Sequence, residues 1–389
     1  MRRPLLPALL VAAVLRLPLA AAAIDLRSQL SAWFSLNDAK PSTPRLGLRW
    51  QPSLSLALPL GDGWKLDGEF SAAAEAEIVA PGWDVPAADG AIDPYRLWLR
   101  LSSPRFEARL GLQQINFGSA TVFRPLMWFD RVDARDPLKL TSGVYGLLLR
   151  YTARGDSSLW LWGLYGNVEP KGWETLATAA RTPEFGGRLQ VPVPSGEAAA
   201  TVHFRRVTGP AGETGESRFA LDGKWDVGVG LWFEGAFTRL ADPSPAGVPA
   251  AGAALRWQRS LALGVDYTFG LGNGLYVLAE QFLADSAPSP AARGRYGATL
   301  TALLLRYPLG LLDTLSTIVY LDWRARRIYA FAAWQRTLDR WQFHAMAFAN
   351  PRRAAAPGGQ PAAGAGAGLP AASSILAGWG FQVMAVWSI

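Results

Sequence analysis

Five charged residues in one stretch of the sequence have the types and spacing needed to handle anions. They are Arg96, Arg100, Arg105, Glu107 and Arg109. In the runs 92–102 and 104–117 they occupy the polar positions of an alternating pattern, so strands would place them on one face. A ladder of guanidiniums attracts anions and forms forked hydrogen bonds with carboxylates, which biases permeation through a pore. The alternative is a structural role in which these arginines pair with acids such as Glu69, Glu75 or Glu77, and both roles are compatible.

A second charged set lies in the segment 118–142, the longest connection in the first half of the chain. Its members are Arg124, Asp130, Arg131, Asp133, Arg135 and Asp136. Aromatic rings at Phe123, Trp128 and Phe129 accompany them. If the segment folds into a barrel, these charges and rings line a constriction; if it stays outside, they form a solvated loop whose rings pack on the rim. We favour the inward arrangement.

Residues for catalysis or metal binding are scarce. The chain has no cysteine and only two histidines, His203 and His344, and it lacks a Gly-x-Ser-x-Gly motif and histidines at zinc-binding spacing. We therefore expect no enzyme activity, no cofactor and no metal. The formal net charge is +7, but the basic residues are spread through alternating segments and not gathered on one surface, which argues against nucleic acid as a partner.

The elements that must position the charged residues follow from a period of two. In 46–58, leucines and a tryptophan alternate with polar residues, and 64–78 follows the same pattern. Such runs are longer than the five or six residues usual in soluble sheets, and they suit tilted strands that need about 9–11 residues to cross a bilayer. Strands are expected at 24–36, 46–58, 64–78, 92–102, 104–117, 143–154, 157–168, 184–193, 197–208, 216–227, 229–240, 252–269, 274–285, 293–307, 313–324, 326–337, 340–350 and 374–389.

These strands predict an all-β protein, a transmembrane antiparallel up-and-down β-barrel of 18 strands over 24–389. Sixteen strands are the alternative, because both parities carry aromatic residues or leucines at 157–168, 274–285 and 293–307. Short connections alternate with the longer ones 79–91, 118–142, 169–183, 241–251 and 351–373, as short periplasmic turns and long external loops do in outer-membrane barrels. Residues 1–23 have the basic start, apolar middle and small-residue exit of a signal peptide.

Three sequence features resemble a known class of proteins. The run from Arg109 to Gly118, followed by Phe123-Arg124-Pro125 and Asp136-Pro137, resembles the strand-and-loop pattern of porin-like barrels from Gram-negative bacteria. The last strand ends in alternating apolar residues and so resembles the C-terminal signature of outer-membrane proteins, although Ile389 stands where an aromatic residue is usual. The segment 118–142 resembles the third loop of porins, which narrows the pore. Barrels of the alginate-export type are similar in size and in their arginine-lined pore.

A wide barrel of this kind implies a channel in the bacterial outer membrane. We expect passive diffusion of small hydrophilic solutes, with a preference for anions, through a lumen narrowed by 118–142 and lined by arginine. The resemblance to alginate-export barrels implies an alternative role in exporting an anionic polysaccharide, and a structural or adhesive barrel is a third possibility. The expected partners are the solutes, outer-membrane lipid and lipopolysaccharide, the barrel-assembly machinery and, in a homotrimer, further copies of the chain.

Overall fold

Nineteen strands form one antiparallel sheet in the computed structural model, which describes residues 23–38, 42–130, 138, 140–141, 143–209, 212–241, 256–351 and 378–389. The strands are β1 (Ala23–Asn37), β2 (Arg45–Gly61), β3 (Trp64–Val79), β4 (Ala87–Ser102), β5 (Phe106–Gln113), β6 (Val144–Thr152), β7 (Ser158–Leu164), β8 (Ala177–Thr178), β9 (Glu184–Val193), β10 (Gly196–Gly209), β11 (Gly212–Asp226), β12 (Gly230–Leu240), β13 (Trp257–Phe269), β14 (Leu275–Ala287), β15 (Arg295–Pro308), β16 (Asp313–Asp322), β17 (Arg327–Thr337), β18 (Trp341–Ala349) and β19 (Trp379–Ser388). One 3-10 turn spans Pro81–Trp83. Among the described residues, no helix is long and apolar enough to cross a bilayer.

The sheet closes into a barrel because its first and last strands pair. β1 and β19 are antiparallel from Gln29 opposite Ser388 to Asn37 opposite Gly380. Every other barrel strand pairs with its neighbours along the chain, and β7 pairs directly with β9. The two-residue β8 adds only a short pairing with β10, so 18 strands form the wall and the prediction of 18 is confirmed over 16.

Alternation along each strand separates an outer apolar face from an inner face. In β11, Phe219 and Leu221 are 42% and 58% exposed on the outside, whereas Arg218, Ala220 and Asp222, which alternate with them, are buried. Exposed leucines and aromatic rings on the outside are stable where the solvent is lipid, and polar groups on the inside need partners or water. The period of two therefore identifies a segment as a strand and also tells which of its side chains face lipid and which face the lumen.

The wall is uneven in height. β2, β3 and β4 contain 17, 16 and 16 residues, whereas β5 and β7 contain 8 and 7. The expected connection at 79–91 is wrong at its far end, because β4 already begins at Ala87 and pairs with the outer part of β3. The predicted signal peptide at 1–23 lies almost entirely outside the described residues, which start at Ala23.

Candidate functional site: the lumen

The segment that follows β5 crosses the inside of the barrel and is held there by two carboxylates. Glu234 on β12 accepts hydrogen bonds from the backbone N–H groups of Ala120 and Leu126, at 2.6 and 3.0 Å. Glu280 on β14 accepts from the backbone N–H groups of three consecutive residues that begin at Thr121, at 2.7 to 3.0 Å. Because the segment has no regular secondary structure, these carboxylates supply the acceptors that its buried N–H groups need.

Apolar packing joins the same segment to one side of the inner wall. The Phe123 side chain is fully buried and stacks on Phe282, with ring centroids 5.2 Å apart, and it meets Tyr320 edge-on at 5.9 Å. The surrounding cluster consists of Ala120, Val122, Trp232, Ala262, Leu278, Leu300, Ala302, Leu304, Ile318, Phe331, Met346 and Phe348. The inner face of β12–β18 is thus an apolar core shared between the wall and the segment, and this half of the lumen is filled.

A second inward segment, between β7 and β9, is fixed by ion pairs. Glu174 contacts Arg205 at 2.8 Å and Arg218 at 2.9 Å, and Lys171 contacts Glu184 at 3.2 Å. All five side chains are at most 9% exposed. Charges buried to this degree are tolerated only when they are paired, so the pairs determine where this segment lies. Its Trp173 indole donates to the Arg124 carbonyl at 2.7 Å and so links the two inward segments.

A cluster of arginines and acids lines the opposite side of the lumen, on β3–β6. Arg100 forms forked hydrogen bonds with Asp67, the shortest of them 2.6 Å. Glu107 forms a 2.7 Å hydrogen bond with Arg109 and lies 3.7 Å from both Arg100 and Arg150. The cluster gathers three guanidiniums around two carboxylates, so it carries an excess of positive charge.

Indole rings keep these guanidiniums in place. Arg109 and Arg100 lie over the Trp98 ring at 4.9 and 5.6 Å from its centroid, and Arg150 lies 3.8 Å from the Trp160 centroid. A guanidinium on an indole face is attracted by the ring quadrupole and loses side-chain freedom. The cluster therefore presents its charges from defined positions.

A cavity of about 350 Å³ separates this wall from the inward segment. Its lining residues are Glu69, Arg96, Trp98, Arg109, Gln114, Ile115, Asn116, Leu148, Arg150 and Trp160. Three guanidiniums and one carboxylate face the same space, which gives it a positive potential. The cavity is the polar part of a lumen whose other half is packed.

The predicted ladder residues are brought together with one exception. Arg100, Glu107 and Arg109 meet in the cluster. Arg96 is buried beside the cavity and donates to the Thr141 carbonyl at 3.1 Å. Arg105 lies apart from them, in the exposed turn between β4 and β5, because β5 begins only at Phe106.

The predicted loop residues are only partly described. Arg124 donates to Asn116 and lies 3.8 Å from the buried Asp130. Burial raises the pKa of the Asp130 carboxyl above its ordinary value, and the Arg124 charge offsets part of that rise. The four remaining predicted residues lie outside the described residues; they are Arg131, Asp133, Arg135 and Asp136.

Sequence reasoning missed several residues that form the site. Arg150, Asp67 and the indoles of Trp98 and Trp160 were not predicted, although all four lie at inward positions of their strands. The acids expected to pair with the ladder, Glu75 and Glu77, instead contact Arg49 and Arg45 at 2.5 and 3.2 Å. The register of neighbouring strands could have revealed Arg150, because it lies directly opposite Glu107 in the β5–β6 pairing. Among the described residues, no group of histidine or carboxylate side chains is arranged to hold a metal.

The barrel aligns over nearly its whole length with solved porin structures. An anion-selective porin from Comamonas acidovorans aligns with a TM-score of 0.50 at 15% identity, covering 95% of this chain and 100% of that chain. OmpF from Salmonella typhi, in complex with daunomycin, aligns with a TM-score of 0.50 at 11% identity, covering 95% of this chain and 98% of that chain. OccAB1 from Acinetobacter baumannii aligns with a TM-score of 0.53 at 8% identity, covering 94% of this chain and 96% of that chain. The fold is therefore that of bacterial outer-membrane porins. No protein-family model and no curated protein sequence matches the chain.

Proposed function

We propose that the protein is an outer-membrane channel for passive diffusion of small hydrophilic solutes and that it favours anions. The observation that carries the proposal is the cavity of about 350 Å³ between the arginine-lined wall and the inward segment. An 18-stranded barrel is too wide for wall side chains to fill, so the inward segments decide which part of the lumen stays open. Residues 118–142 then serve as the constriction loop.

The charge of the cavity lining supports the anion preference. Arg96, Arg109 and Arg150 face the space with a single acid, Glu69. The Arg100 charge is neutralised by its forked contact with Asp67, so it adds little. A pore of this polarity raises the local concentration of anions and lowers that of cations.

The surroundings of the buried His203 support a role without catalysis. His203 accepts a hydrogen bond from the Trp162 indole at Nδ1, at 3.1 Å, and its Nε2 contacts Glu184 at 3.1 Å. The ring is fully buried, and both nitrogens are used by the wall. A general base needs a nitrogen that reaches a substrate, which this histidine does not offer.

Export of an anionic polysaccharide is a less favoured role. The two inward segments leave a cavity whose size suits small solutes, and their packing on Phe282 and Tyr320 opposes passage of a polymer. If the chain is an exporter, substitution of Arg96, Arg100 and Arg109 blocks secretion of an acidic polysaccharide by the cell. An adhesive barrel instead loses surface binding and keeps its conductance when residues 351–373 are deleted.

The short strands β5 and β7 support association of protomers into a homotrimer. β5 and β7 have 8 and 7 residues, fewer than the roughly 9–11 that a tilted strand needs to cross the hydrocarbon. Their outer faces carry leucines such as Leu110 and Leu161, which another protomer can cover in place of lipid. Lipopolysaccharide and the barrel-assembly machinery are proposed as further partners on the basis of the outer-membrane location.

Reconstitution in planar lipid bilayers tests the channel. We expect stepwise conductance and, under a KCl gradient, a reversal potential whose sign corresponds to chloride as the more permeant ion. The control is the same protein after heat unfolding, which gives no steps. A folded barrel that stays silent argues against the channel, and a reversal potential of cationic sign argues against the anion preference alone.

A further inference from the structure

Glu107 has an unusual position among the arginines of the lumen. Its carboxylate lies within 4 Å of three guanidiniums, those of Arg100, Arg109 and Arg150, and only the contact with Arg109 is a hydrogen bond. The 3.7 Å contacts with Arg100 and Arg150 are too long for a hydrogen bond and are electrostatic. The single negative charge of Glu107 is therefore near three positive charges, and Glu107 accepts a hydrogen bond from only one of the three guanidiniums.

The neighbouring acid Asp67 differs in this respect. It accepts three hydrogen bonds from Arg100, at 2.6, 3.0 and 3.2 Å, and its side chain is 8% exposed. That pair is a closed unit with little capacity for another ligand. Arg150, in contrast, is 37% exposed, lines the cavity, and has Glu107 at 3.7 Å as its nearest acid among the described residues. Arg109 and Arg150 thus remain available to an anion in the cavity.

We propose that Glu107 is a resident counter-ion that sets how tightly the lumen holds a permeating anion. The proposal rests on the channel function proposed above. A small anion in the cavity takes up the unsaturated donors of Arg150 and Arg109, while the Glu107 charge behind them repels it. Conduction requires binding that is favourable enough for entry and weak enough for exit, and an acid placed among the bases meets that requirement.

The variant Glu107→Gln tests this role because glutamine keeps the acceptor for Arg109 and removes the charge. Across a wet lumen with an effective dielectric constant of about 40 to 80, one charge about 6 Å away changes anion occupancy roughly three- to tenfold. We expect the anion-to-cation permeability ratio, measured from reversal potentials in KCl, to rise by about that factor. We also expect the conductance to saturate at a lower KCl concentration than in the natural protein.

Glu75→Gln is the matched control, since Glu75 is a wall acid that pairs with Arg49 away from the cavity lining. A permeability ratio that rises no more in Glu107→Gln than in Glu75→Gln overturns the proposal, and so does a fall. A silent natural protein counts against the channel itself, which separates the two failures.

A double variant keeps the test decisive if Glu107→Gln does not fold. Glu107→Gln combined with Arg109→Gln removes one acid and one base together, so no extra charge is left in the wall. We expect its permeability ratio to stay within about twofold of the natural protein, because the two charges largely cancel at the cavity. A fall well beyond that range shows that Glu107 does not offset the arginines and overturns the proposal.

Discussion

Removal of the Glu280 carboxylate should loosen hydrogen bonds of the inward segment without releasing the segment from the lumen. In Glu280→Met the side chain keeps its length and loses both acceptor oxygens. The backbone N–H groups of Thr121, Val122 and Phe123 then lose acceptors that lie at 2.7, 3.0 and 2.7 Å. The Trp232 indole loses its 2.8 Å contact with the same carboxylate.

The magnitudes decide between loosening and release. A hydrogen bond to a charged group contributes about 1.5–3 kcal/mol, which corresponds to roughly 10- to 150-fold in the rate of amide exchange if the amide exchanges by local opening. The segment also buries five large apolar side chains, Val122, Phe123, Leu126, Met127 and Trp128. At about 1.5–3 kcal/mol each, their burial contributes roughly 7–15 kcal/mol. The two remaining bonds to Glu234 add about 3–6 kcal/mol, and together these terms exceed the roughly 6–12 kcal/mol of the four bonds that Glu280 accepts. Packing should therefore keep the segment inside.

Hydrogen exchange followed by mass spectrometry or NMR, together with single-channel conductance, checks both halves of this prediction. The amides that bond to Glu280 should exchange faster in Glu280→Met, while those of Ala120 and Leu126, which bond to Glu234, should keep their protection. Glu234→Met should give the reverse pattern. Conductance should match the natural protein in both variants. Equal acceleration of hydrogen exchange at all five amides would refute the view that packing holds the segment. So would a single-channel conductance as large as that of a variant from which residues 119–128 are deleted.

Three further predictions concern permeation. Arg109→Ala and Arg150→Ala should each lower the anion-to-cation permeability ratio by about three- to tenfold, since each removes one charge from the cavity lining. Arg206→Ala, at an exposed position away from that lining, should leave the ratio unchanged; reversal potentials in KCl compare the variants, and equal effects in all three contradict the assignment. Deletion of 119–128 should enlarge the single-channel conductance and leave the barrel folded, as seen by heat-modifiable migration on gels; an unchanged conductance means that the segment does not limit the pore. Anion preference should weaken between 0.1 and 1 M KCl, because the screening length falls from about 10 Å to about 3 Å, and a preference independent of salt would indicate steric selection.

Strand number and side-chain direction could be predicted because both depend on local alternation. Lipid on one side and a lumen on the other impose the same period of two on every strand, so no long-range information is required. The start of β4 at Ala87 escaped prediction for a different reason. Residues 87–94 are exposed on both faces, and what makes them a strand is their pairing with β3 beyond the point where β5 ends. Such pairing depends on two segments that lie together in space, so it leaves no alternating pattern in the sequence of either segment.

The candidate site could be predicted only in part, because it depends on which inward residues meet across the lumen. Alternation places Arg100 and Arg109 on the inner face but does not reveal that Trp98 lies beneath both of them. Glu234 and Glu280 are separated from the residues they bind by more than 100 positions in the chain. A weak signal for them exists, since each is a lone acid among apolar residues on the inward face of its strand.

The two kinds of acid in this lumen show why the open path lies to one side. In the apolar half, Glu280 and Glu234 have no basic partner at hydrogen-bond distance among the described residues, and their oxygens are saturated by backbone N–H groups of the inward segment. In the polar half, Glu107 faces the guanidiniums of Arg109 and Arg150, whose remaining donors need water or a solute. Buried polar groups are stable only when satisfied, so the first half must remain packed and the second must remain wet. The open space therefore lies where the acids leave guanidinium donors unsaturated, and not where arginines and acids pair completely, as Glu174 does with Arg205 and Arg218.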